Sequence, residues 1–138
     1  MRTLIVIILL ALSFSASAQM RVQVVSTTDD QVGKRLVYEL KEQIRQSTSL
    51  QISLDDSELG MQANLVTLEQ YPDSPGIATV YSLVLTWNNP EQPFPFMLTQ
   101  YTGYCGSSRV ESCAKNLVAE ISEQSDKLMQ LFIKASKR

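Results

Sequence analysis

Residues 77–87 read IATVYSLVLTW and residues 96–104 read FMLTQYTGY, and between them Asn88, Asn89 and Pro90 break the pattern. β-Branched and aromatic residues fill both runs, and such residues favour a pleated, half-buried surface. The two runs are therefore expected to form a β-hairpin. Pro93 and Pro95 lack a backbone N–H, so the return strand is expected to start near Phe96 or to lie at a sheet edge there. Cys105-Gly106 closes the second run, and Cys113 follows inside a strongly helical pattern. A disulfide between Cys105 and Cys113 would pin the return strand to the first turns of a C-terminal helix.

Working outward from the hairpin, the C-terminal helix carries apolar side chains at Val110, Ala114, Leu117, Val118, Ile121, Leu128, Leu131 and Phe132. That spacing makes one continuous stripe. Ser108 and Glu111 are spaced for a capping box at its start. Ser125 interrupts the stripe, which predicts looser docking of the final turns. Toward the N-terminus, Met20, Val22 and Val24 alternate with Arg21 and Gln23, a half-buried strand. Thr28 and Gln31 are spaced for a second capping box, and Val32, Leu36, Val37, Leu40 and Ile44 give the following helix one apolar face. Gly33, near that helix's start, fits either a close approach to the sheet or a loose first turn. Ser47, Thr48 and Ser49 end the helix. Leu50, Ile52 and Leu54 alternate in a second strand, parallel to the first, because a helix connects them. Residues 61–69 make a third strand before a turn rich in Pro, Asp and Gly. The predicted fold is one α+β domain over residues 19–138. It is a two-layer sandwich with a mixed sheet of about five strands, order β-α-β-β-β-β-α, and two helices on one face.

The chain has 138 residues, enough for one domain with a real core. Hydrophobic residues at 44% and charged residues at 19% mark it as globular. A net charge of −2 argues against a nucleic-acid partner, whose phosphates need a basic surface. The one basic cluster is the tail, Lys134, Lys137 and Arg138. It reads either as a solvated helix end that suits the dipole or as a contact for a membrane or partner.

Residues 1–18 have the form of a cleavable signal peptide. Arg2 supplies the positive start, residues 4–12 an unbroken apolar run, and Ala16-Ser17-Ala18 a cleavage site. That run is about half the ~20 residues that span a bilayer. The expectation is an exported, periplasmic or secreted protein that begins at Gln19 and holds no stable membrane insertion. In an oxidising compartment a lone cysteine pair reads as a structural disulfide, and its spacing is not the C-x-x-C of thiol oxidoreductases.

Little in the sequence points to catalysis. With no histidine, Ser-His-Asp and Cys-His chemistry and histidine-ligated zinc are excluded. No serine and lysine stand as S-x-x-K. Asp55, Asp56 and Glu58 are the densest acids but lack the spacing of a calcium loop, so no metal is expected. The glycines form no phosphate-binding or dinucleotide fingerprint, so no cofactor is expected. The surplus is aromatic. Tyr81, Trp87, Phe94, Phe96 and Tyr101 lie in or beside the hairpin and are the candidate partner-binding residues, with cross-strand packing as the alternative use. Alternation sends Tyr81, Leu83, Leu85 and Trp87 to one side of their strand and Val80 and Val84 to the other. Either the strand is buried on both faces, or it leaves an apolar patch that something else covers.

The segment GKRLVYELKEQIRQSTSLQISL, residues 33–54, resembles the first β-α-β unit of the N-terminal domain of TolB-type bacterial envelope proteins. Beyond that unit the chain departs from the pattern, with strands where a helix would follow and no propeller. Tyr81–Thr86 with Cys105-Gly106 and Cys113-Ala114 resembles a set of small exported bacterial proteins of unknown function. These resemblances imply a non-enzymatic envelope protein. The missing catalytic groups and the aromatic excess point to a binding or adaptor module, one that engages a protein partner or itself through its sheet face, a strand edge or the aromatic loop. The alternatives are a periplasmic inhibitor or immunity protein and, third, a small hydrolase.

Overall fold

The computed structural model of the chain describes residues 19–55 and 58–137. The signal-peptide reading of residues 1–18, and Asp56 of the acidic cluster, lie outside the described residues. The elements run β1 (Met20–Thr28), α1 (Gln31–Gln46), β2 (Leu50–Ser53), β3 (Gly60–Glu69), β4 (Ala78–Asn88), β5 (Phe96–Gly106) and α2 (Val110–Ser136). The sheet order is β2-β1-β3-β4-β5, with β1 parallel to both β2 and β3 and the remaining pairs antiparallel. This is the mixed five-stranded α+β sandwich that the alternation predicts.

One sheet face packs on both helices. Val22, Met61, Ala63, Leu65, Leu83 and Leu85 rise from the strands into a core with Leu36, Leu40 and Ile44 of α1 and Leu117 and Ile121 of α2. Truncating any of these fully buried leucines to alanine removes about 2–5 kcal/mol. The other face has no layer over it among the described residues. There Leu68, Val80 and Tyr104 stand in one row across β3, β4 and β5, with Val66 and Val25 beside them, all well exposed. The two-sided apolarity of β4 thus resolves into a core face and an uncovered face.

Both helix starts differ from the capping boxes. α1 is capped by Asp30, whose Oδ1 accepts from the Gly33 N–H at 2.6 Å, while Oδ2 accepts from Thr67 Oγ1 at 2.6 Å. The carboxylate reaches both helix and sheet, which the Thr28 hydroxyl does not. α2 begins after Arg109 with no side-chain cap. Its first turn is held by backbone, Arg109 N–H to Gly106 O and Cys113 N–H to Arg109 O. The Cys105–Cys113 disulfide clamps the same turn, with Cα atoms 6.2 Å apart. At the far end of α1, Ser47 stops the helix as predicted. Its N–H donates to Ile44 O, and its Oγ accepts from Ser49 and Leu50 N–H.

Ser125 does not break the stripe: it is the last buried residue along it. Beyond it no residue of the helix is buried, and Leu131 and Ile133 are 61% and 51% exposed.

Candidate functional site

The β4–β5 hairpin divides its aromatic residues between two jobs. Tyr81, Leu83, Leu85 and Trp87 share the helix face, and their partners on β5 are Gly103, Tyr101, Thr99 and Phe96. Tyr81 lies across Gly103, where an added Cβ would sit 2.7 Å from its Oη. Burial, and after it the charge of Glu120, raises the Tyr81 hydroxyl above the usual phenol range. The ring therefore stays neutral as it covers the glycine. Tyr101 is half-buried, and its Oη accepts from Gln124 Nε2 at 3.1 Å. Tyr81 and Tyr101 are thus packed inward against α2 and the core, the cross-strand packing that is the alternative use of these rings. Alternation places both on the side that the long C-terminal helix covers. Gly103→Ala is expected to displace Tyr81 at a cost of about 1–2 kcal/mol, read as a lower urea midpoint at unchanged slope.

Trp87, Phe94 and Phe96 do gather at one end. Trp87 stacks in tilted geometry on Phe132 of α2, ring centroids 5.3 Å apart. Phe96 pairs with Trp87 across the ladder and is 59% exposed, and Phe94 in the turn is 77% exposed. Trp87 and Phe132 join Met20, Leu59 and Met129 in lining an apolar cleft of about 530 Å³, with Gln19, Arg21 and Asn89 at its rim. Sequence reading missed Leu59 and Met129. The helical stripe was visible, but not the fact that its last turns run past the core.

The edge of the sheet is the second feature. β5 pairs with β4 on one side and with nothing on the other among the described residues. It is 11 residues long, and no charged residue occurs between Glu91 and Arg109. A register shift between Leu85 and Thr86 leaves Leu98 as the extra residue of a bulge, so the ladder is regular from Thr99 to Gly106. The opposite edge, β2, has four residues. Proteins commonly blunt sheet edges with short strands, lysines, prolines or bulges. β2 follows that rule; β5 has its bulge and prolines only at the hairpin end.

Glu58 and Glu69 serve the fold. Glu58 pairs with Arg21 at 3.0 Å and accepts from Ser53 Oγ at 2.7 Å. Glu69 Oε2 accepts from the Gly76 N–H. Among the described residues no three His, Cys, Asp or Glu side chains are grouped to hold a metal, and no helix is long and apolar enough to cross a membrane.

No family model and no curated protein sequence matches the chain. Solved structures do. A Xanthomonas campestris protein of a domain family of unknown function, DUF330, matches at TM-score 0.52 and 8% identity, over 83% of this chain and 93% of its own. A hypothetical protein of Chlamydia trachomatis matches at TM-score 0.49 and 10% identity, over 76% and 96%. An uncharacterised lipoprotein B of Nitrosomonas europaea matches at TM-score 0.34 and 14% identity, over 87% and 88%. At such identities the likeness is one of fold, and the Xanthomonas protein carries it. The chain is a two-layer α+β domain, and these three solved proteins are uncharacterised bacterial proteins. No TolB-type domain is among these three.

Proposed function

We propose that this chain is a non-catalytic, exported binding or adaptor protein of the bacterial envelope, which takes a strand of a protein partner along β5. Residues 1–18 direct export and are removed, so the folded protein works in the periplasm. The observation that carries the reading is the long, uncharged, unpaired edge of β5. An extended peptide added there gains a ladder of main-chain hydrogen bonds, and exposed side chains of the strand, such as Gln100 and Thr102, select its sequence. The lack of histidine, the usual general base near neutral pH, supports a role in binding rather than turnover.

The test is capture of partners from native envelope by the tagged protein, compared with a Gln100→Lys/Thr102→Lys variant. Both side chains are exposed on the uncovered face, so the fold should tolerate the change. Lysines at an edge disfavour strand addition. Losing two main-chain hydrogen bonds, at about 0.5–1.5 kcal/mol each, should weaken capture by about tenfold. A variant that holds the same partners as strongly would overturn strand addition.

A further inference from the structure

The end of the molecule where the hairpin turns is built differently from the rest of its surface. Phe94, Phe96 and Met97 project there from the hairpin, each more than half exposed. Beside them run the last turns of α2, tied to the hairpin by the Trp87–Phe132 contact, with Leu131 and Ile133 exposed on the flanks. At 27 residues α2 is about 40 Å long, long enough to carry it along the whole of β4 to this end.

Charge at this end is one-sided. From Lys127 to the terminus the sequence holds four cations and no acid. Lys127 is engaged by Glu123 at 2.7 Å. Lys134 and Lys137 have no ionic partner among the described residues, and Arg138 follows them in the sequence. Lys134 lies in the last turn of the helix and Lys137 caps its end. Leu128 and Phe132, four apart, share one side of the helix and pack toward the body of the protein. The acids nearby are Glu123, paired with Lys127, Asp126 just before Lys127 on α2, Glu58, paired with Arg21, and Glu91 in the hairpin turn. The chain also enters the fold here. Gln19 and Met20 line the same cleft as Trp87 and Phe132, directly after the residues read as the export leader.

We propose that this end docks on an anionic lipid surface, with Phe94, Phe96 and Met97 entering the interface and Lys134 and Lys137 facing the headgroups. Apolar side chains flanked by lysines on a helix end suit such a surface, where each element adds to the other. Docking here goes beyond strand addition and leaves β5 free, so the protein holds a membrane with one end and a partner strand along its side.

The test uses the processed protein with vesicles of phosphatidylcholine alone or mixed with phosphatidylglycerol, read by cosedimentation. Trp87 is the sole tryptophan and sits at the site, so its emission reports the same event. Binding is expected on the anionic vesicles, weakened by salt, with a blue shift of Trp87. Lys134→Gln/Lys137→Gln should weaken it about fivefold per lysine, about 25-fold for the pair. Phe94→Ser/Phe96→Ser should weaken it about tenfold or more, with an unchanged thermal melt because both rings are exposed. Equal binding to both vesicle types, no binding to either, or binding indifferent to either variant would overturn the proposal. So would a vesicle-free dimer that the Phe94→Ser/Phe96→Ser variant dissolves, because the end would then belong to a second copy. Partner capture is read with the Gln100→Lys/Thr102→Lys variant, which leaves this end unchanged, so failure of one idea is distinguishable from failure of the other.

Discussion

Gly33→Ala is expected to destabilise the protein by about 2–4 kcal/mol, although alanine is the better helix former by up to ~1 kcal/mol. The reason is where Gly33 sits. A methyl group there falls well inside contact distance of Thr67 Oγ1 and Asp30 Oδ2, and 2.6 Å from Thr28 Oγ1. Asp30 caps α1 through the Gly33 N–H and bonds Thr67 on β3 at the same time. All of this is buried between helix and sheet. Making room means surrendering the cap, at about 0.5–2 kcal/mol, and leaving a buried partner unsatisfied, at about 1–3 kcal/mol. Those losses outweigh the gain in propensity. In urea the variant should unfold at a lower midpoint with the same slope. Adding Thr67→Ala should cost less in the Gly33→Ala background than in the wild type, because the two sites touch. A Gly33→Ala protein as stable as its parent would show that the first turn of α1 is loose, not wedged against the sheet.

Removing the disulfide is expected to cost about 2.5 kcal/mol, the chain-entropy value for so small a loop. Cys105 and Cys113 are eight positions apart, and Cys105 is buried on the edge strand. Cys113 lies one turn into α2, whose start has no side-chain cap. The bridge therefore secures two weak points together, the uncapped helix start and the end of an edge strand paired on one side only. Reduction should lower the melting temperature by about 10 °C. It should also speed amide exchange first in the last residues of β5 and the first turn of α2. Uniformly faster exchange, or a melt that ignores reductant, would contradict this placing of the bridge.

Much of the fold was legible because its signals are local and periodic. The runs at residues 77–87 and 96–104, the apolar spacing of both helices and the helix between two short strands each constrain one element and its neighbour. The capping boxes misled because Thr28 and Ser108 satisfy a local spacing, whereas the actual starts are set by partners far along the chain. Asp30 is fixed by Thr67, and the α2 start by Cys105. Gly33 was open for the same reason: only the position of β3 decides between a loose turn and a close approach. The aromatic residues were half legible. Alternation put Tyr81 and Trp87 on one face but could not say how far α2 extends, so Tyr81 is covered while Trp87 meets the helix at Phe132, beyond its last buried residue. The edge status of β5 follows from sheet order, which adjacent motifs do not encode beyond the hairpin itself.

The central claim is that β5 offers its free edge to a partner strand in the envelope. Photo-crosslinking in living cells tests it most directly, with the reactive side chain at Thr102 on β5 and, as control, at Arg35 on the exposed side of α1. A discrete adduct to one envelope protein from Thr102, absent from Arg35, is the predicted result. Adducts from Arg35 alone, or none from β5 in cells that make the protein, would contradict it.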